Sequence, residues 1–486
     1  MRIFMVSGEA APFAKTGGLA DVLKALPEAL ARAGHQVHVL IPLYREVKAK
    51  GFDMKHELTL DVWLGGTRHE TRFFSLEHEG VHSLFVENDP FYDRDHLYTT
   101  PDGDYPDNAE RFAFLGKAAI EVVKALGGVD ILHAHDWQAA FVPIYKKVLY
   151  RENGSLAGAA IVQTIHNLGY QGIFGAEILP ALDLPYDEVF HMEALEFYGK
   201  INILKGGIVY ADVINTVSKG YAREIQTPEY GCGLDGILRK RSDVLFGITN
   251  GADYEDWNPE TDPHIAKNYS PEDPSGKLDC KLDLLAAFGL PQSTRDPVFG
   301  FVGRLAEQKG LDILIPAVER LLSRRRVRFV LLGTGDRIYQ EKAQKLAAKF
   351  PRRVGVKIAF DNALAHKIEA GCDFFLMPSR YEPCGLNQMY SLKYGTIPIV
   401  RATGGLDDTI EEFDPKKKVG NGFKFHDYTA DALFDALERA LAVYRKKDLW
   451  SVLQKNAFAC DFSWAKSAAR YEDLYRRAKE VASASG

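Results

Sequence analysis

The chain has 486 residues, 46% of them apolar and 26% charged, with a net charge of −6 at pH 7. That length exceeds one ordinary core and predicts two to three domains, and the mild acidity, with no prominent Lys/Arg cluster, excludes a nucleic-acid partner from the expectations. No apolar run reaches the ~18 residues of a membrane helix, so no membrane partner is expected, and the five cysteines follow no paired spacing, which predicts free thiols and a cytoplasmic setting.

The N-terminus opens directly into a strand, Arg2–Val6, with no charged leader or small-residue cleavage site before it. Leu19–Ala33 places Leu19, Val22, Leu23, Leu26, Ala29 and Leu30 on one helical face, Gly34 is a left-handed stop, and Val37–Ile41 is the next strand. This βαβ unit implies a parallel sheet with a right-handed crossover. Further strands are expected at Ile131–Ala134, Ala160–Thr164, Val213–Thr216 and Leu245–Ile248.

The segment Tyr254–Pro274, rich in Glu, Asp, Pro and Asn, reads as a linker. A second series follows it. Strands are expected at Val298–Val302, Arg328–Leu332, Gly355–Ala359, Phe374–Met377 and Ile397–Val400, with helices at Leu311–Leu322, Tyr339–Lys349, Ala363–Ala370 and Leu386–Tyr394. The basic run Arg324-Arg325-Arg326 reads as a solvated helix end. Strict alternation of strand and helix predicts an α/β fold with two Rossmann-like, doubly wound domains facing a cleft. The boundaries expected are 1–253, 254–458, and a C-terminal helix in 459–486 that returns to the first domain.

Three blocks fall where strands end and helices begin. Lys15-Thr16-Gly17-Gly18-Leu19 pairs two glycines, which allow close backbone approach, with a cation at a helix start, where an anion is favoured. It matches neither GxGxxG nor a Walker loop, which disfavours nicotinamide and P-loop chemistry. Glu9 and Asp21 flank it. The second block, Gly300 to Gly310, carries Arg304 and Lys309 ahead of a helix, a pair suited to a diphosphate. The third, Pro378 to Gln388, carries Glu382 where a carboxylate can bind sugar hydroxyls, and Gly385 where a ligand can come close; Thr403-Gly404-Gly405 ends the following strand in the same manner. His133-Ala134-His135-Asp136-Trp137 invites a metal reading, but two His alternating at a strand end do not make a ligand set.

Together these blocks resemble the bacterial glycogen synthase and plant starch synthase family. Thr164-Ile165-His166-Asn167 through Gly172, Asn250-Gly251 and Phe462-Ser463-Trp464 add to the match, which runs nearly end to end. The resemblance implies the GT-B architecture and a retaining glucosyltransferase that moves glucose from ADP-glucose to the non-reducing end of an α-1,4-glucan, with no cofactor and no metal. Carried over by position, it puts Lys15, Gly17 and Gly18 at the donor diphosphate and sugar, and Arg304 and Lys309 on the leaving ADP. Glu382 holds donor glucose hydroxyls. The His166 carbonyl faces the anomeric carbon, with its ring near the glucose. Asp21 and Asn250 contact the sugar, and Cys384, Gly385, Leu386 and Asn387 line the sugar and phosphate pocket. Asp136, Trp137 and Asn167 belong to the acceptor side.

Three positions depart from the family pattern. Gln138 stands where His is frequent, Phe360 where Tyr stacks on adenine, and Asn387 where Thr is common. Phe360 keeps the ring and loses the hydroxyl. The alternatives are another GT-B transferase using UDP-glucose, which the Lys15 block disfavours, and a non-catalytic glucan-binding homologue. The latter expects loss of Lys15, Arg304, Lys309 or Glu382, and all four are present.

Overall fold

A computed structural model describes residues 1–100 and 103–484. The chain divides into two compact units: residues 1–251 with 464–486, and residues 252–463. The last two positions of the expected C-terminal segment lie outside the described residues.

The first unit is built on a nine-stranded sheet. Its strands are β1 (Arg2–Val6), β2 (Gln36–Pro42), β3 (Lys55–Leu64), β4 (Thr67–His78), β5 (Val81–Val86), β6 (Ile131–His135), β7 (Ala160–Ile165), β8 (Val213–Thr216) and β9 (Leu245–Gly247). They run in the order β9-β8-β7-β6-β1-β2-β5-β4-β3. From β9 to β5 the pairing is parallel. Central parallel strands are covered on both faces and therefore read as unbroken apolar runs; Ile3 to Val6 are fully buried. The helix Gly18–Arg32 follows β1, and Gly34 at φ 90° completes the expected left-handed stop. β3, β4 and β5 are not among the strands expected from the sequence; β5 extends the parallel part, and β3 and β4 add an antiparallel edge. Their turn is Gly65-Gly66, both at positive φ.

The second unit has a six-stranded parallel sheet. Its strands are β10 (Val298–Val302), β11 (Arg328–Leu332), β12 (Val354–Lys357), β13 (Phe374–Met377), β14 (Ile397–Arg401) and β15 (Phe423–Phe425), in the order β12-β11-β10-β13-β14-β15. Strand order reverses beside β10, the kind of switch point at which doubly wound sheets bind ligands. Arg325 pairs with Glu438 at 2.9 Å and Arg326 with Asp296 at 2.8 Å, so the basic helix end is exposed but ion-paired.

The expected linker contains no helix or strand, yet it is packed onto the second unit. Trp257 stacks between His366, at 3.7 Å, and Tyr390, at 4.3 Å. The buried Asp262 accepts from Tyr394 Oη at 2.6 Å and sits 2.8 Å from His366 Nδ1. The C-terminal helix Trp464–Ala484 belongs to the first unit, where Trp464, Tyr471, Leu474, Tyr475 and Ala478 are buried in its core.

Candidate functional site

In the first unit, the Lys15 loop leads from β1 into the helix Gly18–Arg32. Lys15 Nζ donates to Asp21 Oδ1 at 2.6 Å, so the first-turn carboxylate fixes the cation beside the helix start. Gly17 has extended backbone, and a Cβ built on Gly17 or Gly18 meets nothing within 4 Å. The fold itself makes no demand for glycine at either position. Beneath the loop lies Glu9, whose carboxylate accepts from the Thr16 backbone N–H and, at 3.1 Å, from its hydroxyl. Burial pushes the Glu9 carboxyl up to about 7, against the lowering effect of the Thr16 and Gly17 hydrogen bonds.

Asp136 follows β6 with a left-handed backbone, φ 55°, a conformation that a non-glycine residue keeps only where its surroundings enforce it. Its Oδ1 accepts the His166 backbone N–H at 2.7 Å. Burial pushes the Asp136 carboxyl up to about 7; hydrogen bonds from the His166 and Asn167 backbones work in the opposite direction, and the nearby Glu9 charge adds to the rise. His166 Nε2 is 3.0 Å from His135 Nδ1. The Asn167 side chain accepts from Gly169 N–H at 3.0 Å and shapes the loop. Trp137 is only 8% exposed; it packs edge-on to Phe112 at 5.1 Å and against Gly172, where a Cβ would meet the indole at 2.4 Å. The residue expected on the acceptor side is therefore mostly core.

Two residues that sequence reasoning gave no role, Gly8 and Tyr98, join this region. A Cβ on Gly8 would meet the Tyr98 hydroxyl at 2.7 Å and Gln138 Cγ at 3.2 Å. The Tyr98 hydroxyl, Gln138 Oε1 and Asn250 Oδ1 are buried and have no partner among the described residues. Buried polar atoms are nearly always hydrogen-bonded, to protein, to ordered water or to a ligand, so each of these three has bonding capacity that its protein neighbours do not use. The only advance signal was the glycine before Glu9.

In the second unit, Arg304 and Lys309 follow β10. Arg304 is exposed and reaches Gln308 Oε1 at 3.4 Å. Lys309 Nζ donates to Glu382 Oε2 at 2.6 Å, and Ser379 Oγ donates to the same oxygen at 2.9 Å. Oε1 takes neither bond. The backbone from Glu382 to Cys384 rests directly on the second glycine pair: a Cβ on Gly404 would lie 2.0 Å from Glu382 O, and one on Gly405 2.2 Å from Cys384 O. Thr403-Gly404-Gly405 thus supports the Glu382 loop by close approach. Gly385 has φ 74°, and the buried Gln388 donates to Cys384 O at 3.1 Å and Gly385 O at 3.0 Å. Asn387 Nδ2 donates to Val302 O at 3.0 Å, tying the helix Asn387–Lys393, with Leu386 as its cap, to the end of β10. Phe360, just past β12, is 87% exposed.

The geometry thus gathers Lys15, Gly17, Gly18 and Asp21 around one loop and Asp136, His166 and Asn167 around another in the first unit. In the second it links Arg304, Lys309, Glu382, Cys384, Gly385 and Asn387 through β10 and the Glu382 loop.

Residues 2–240 match the model for the starch synthase catalytic domain, and residues 287–456 match glycosyl transferases group 1. Glycogen synthase of Koribacter versatilis is 50% identical, with 99% of each chain covered. Glycogen synthase 1 of Geobacter sulfurreducens is 48% identical over 98% of this chain and 96% of its own. Among solved structures, the catalytic domain of starch synthase IV from Arabidopsis thaliana, bound to ADP and acarbose, has a TM-score of 0.90 at 33% identity, with 99% of each chain covered. Sucrose-phosphate synthase from Thermosynechococcus elongatus, covering 98% of each chain, shares the fold alone, with a TM-score of 0.57 at 18% identity. With near-complete coverage by glycogen synthases at about half identity, and two Rossmann-like units in the GT-B manner, the chain belongs to the glycogen and starch synthase family of glycosyltransferases and is an enzyme of α-glucan synthesis.

Proposed function

We propose that the enzyme transfers glucose from ADP-glucose to the non-reducing end of an α-1,4-glucan with retention of configuration. The observation that carries this reading is the Lys309–Glu382 contact. One ion pair joins a cation suited to the diphosphate to a carboxylate suited to the sugar, and Arg304 stands on the same loop as Lys309, in contact with Gln308. Lys309 and Arg304 offset the charge that grows on the leaving diphosphate, an interaction that strengthens as the glycosidic bond breaks. Glu382 Oε1, bonded to neither Lys309 nor Ser379, accepts from glucose hydroxyls. Gly17 and Gly18, with open space around them, admit the donor beside Lys15. The His166 carbonyl lies toward the anomeric carbon, and Asp136 and Asn167 serve the acceptor side. Asp21 and Asn250 reach the donor sugar, Leu386 and Cys384 line its pocket, and Trp137 acts mainly by holding the Asp136 turn. Adenine as the base is supported by the exposed ring of Phe360 and by the ADP bound to the starch synthase IV relative.

No protein nucleophile is needed: positioned charges stabilise an oxocarbenium-like centre, and the departing ADP accepts the proton of the attacking hydroxyl. We propose that no metal takes part. Both ring nitrogens of His133 are taken, by Tyr475 and Thr164, which removes it as a ligand. A cytoplasmic setting agrees with the bacterial relatives and the five free thiols. The test is product analysis with purified protein, glycogen and ADP-glucose. α-1,4-linked glucose and ADP are expected in equal amounts; hydrolysis to free glucose, or a β linkage, rejects the reading.

A further inference from the structure

A run of buried polar contacts in the first unit connects the C-terminal helix to His166. Tyr475 Oη lies 2.9 Å from His133 Nδ1, and Thr164 Oγ1 lies 2.6 Å from His133 Nε2, although Tyr475 is 342 positions from His133 in sequence. The His133 ring lies against the His135 ring, with centroids 4.0 Å apart and planes 35° apart. Both residues are fully buried, and their alternation along β6 puts them on one face of the sheet. His135 Nδ1 reaches His166 Nε2 at 3.0 Å, while His135 Nε2 is buried without a partner among the described residues. His166 itself is half-buried.

We propose that His135 is a positioning residue that fixes the tautomer of His166: His135 Nδ1–H donates to His166 Nε2, so His166 carries its own proton on Nδ1 and presents a donor to the bound sugar. Two neutral imidazoles sharing one hydrogen bond must divide the roles, one nitrogen donating and the other accepting. If His166 donated, His135 Nδ1 would be the acceptor. The His135 proton would then sit on Nε2, a buried N–H with no acceptor. Orphaned buried N–H groups are rare because the lost hydration is not replaced. The opposite polarity leaves only an unused lone pair at that nitrogen. His133 cannot relieve it, since its own nitrogens are occupied and it meets His135 ring to ring. Burial keeps the imidazoles neutral, lowering His166 to about 3 and His135 well below the usual histidine range. The Asp136 carboxylate holds the His166 backbone N–H, so backbone and ring are fixed by adjacent residues on one turn. An Nδ1–H at His166 recognises a hydroxyl or ring oxygen through its lone pair; the other tautomer would require an O–H donor in its place.

The chemical consequence rests on the proposed placement of His166 at the donor glucose; the tautomer does not. Long-range ¹H–¹⁵N spectra of the intact chain carrying ¹⁵N-histidine read the tautomer directly, with His166 assigned by the signals lost in His166→Ala. A pyrrole-type Nδ1 and pyridine-type Nε2 are expected, and the reverse pattern overturns the proposal. His135→Leu, which removes the donor and keeps bulk, is expected to lower kcat about tenfold with KM for ADP-glucose changed less than about threefold. His135→Asn, whose amide nitrogen stands near the Nδ1 position, is expected to recover at least about a third of kcat. Equal loss in the two variants, with both folded, overturns the positioning role. If His135→Leu does not melt cooperatively, the wild-type spectrum and the His135→Asn kinetics decide. A wild-type chain that transfers no glucose from ADP-glucose defeats the functional reading and leaves the tautomer result intact.

Discussion

At Gly18 the fold and the chemistry make opposite demands. A Cβ there meets nothing within 4 Å, and the residue opens a helix without a left-handed backbone, so a methyl group there costs the fold nothing and narrows the unfolded chain's freedom. Gly18→Ala is therefore expected to leave the melting temperature unchanged or raised, while kcat/KM for ADP-glucose falls about tenfold or more because the methyl occupies the space proposed for the donor. Lost stability would show that glycine serves the fold. Arg304→Ala and Lys309→Ala are each expected to lower kcat roughly a hundredfold, with smaller changes in KM. Because Lys309 also holds Glu382, its loss releases the carboxylate proposed to bind the sugar as well, and the double variant should fall short of additivity. Near-normal kcat in both single variants would defeat the leaving-group assignment. The raised carboxyls of Glu9 and Asp136 add a pH signature. Between the ordinary carboxylate range and about 7 they hold protons that the unfolded chain has released. Each therefore contributes stability that is present at low pH and lost as pH rises through about 7, with a slope approaching about 1 kcal/mol per pH unit. Denaturant midpoints followed from about pH 5 to 8 should decline in the wild type and decline less in Glu9→Gln and Asp136→Asn; identical profiles would show that the carboxyls are ionised throughout. The motif residues were legible because paired glycines, cations and a carboxylate at strand ends stand out in one dimension. Tyr98 was not, and His135 stood out only as one of two alternating histidines, because the partner that gives a buried tyrosine or histidine its role, His166 for His135, lies far away in sequence.

Among elements, most strands on the parallel part of each sheet were readable because burial on both faces writes an apolar run bounded by turn residues; β5 and the three-residue edge strand β15, each parallel to its neighbour, were not among those expected. Strands β10, β11 and β13 fall on their expected ranges. The β3–β4 edge escaped because its apolar residues alternate with charged ones. From Lys55 to Leu64 only Val62 and Leu64 are buried, although the Gly65-Gly66 turn was a usable hairpin signal. The segment read as a linker shows the other limit. Its composition is loop-like, but Trp257 and Asp262 acquire their partners from helices about a hundred positions later. The C-terminal helix buries Tyr471 and Tyr475 in the first unit and engages Asn215 at 3.1 Å and His133 at 2.9 Å. Deleting residues 464–486 exposes that core and is expected to abolish cooperative folding of the first unit, read by a lost near-UV signal and melting transition. A truncated chain with wild-type melting and turnover would contradict the role assigned to the helix.

The whole molecule consists of two Rossmann-like units, each with its own core, and the motif residues are shared between them. Activity is expected to survive excess chelator, since the cations proposed to act on the diphosphate are Lys15, Arg304 and Lys309. Complete loss restored by Mg²⁺ or Mn²⁺ would return a metal to the mechanism. The central claim is donor chemistry, and steady-state transfer to glycogen with ADP-glucose and UDP-glucose in parallel tests it most directly, with nucleotide release and incorporated glucose both measured. One glucose added per nucleotide released and a clearly higher kcat/KM for ADP-glucose are expected. Equal or better use of UDP-glucose, or nucleotide release without incorporation, would contradict that claim.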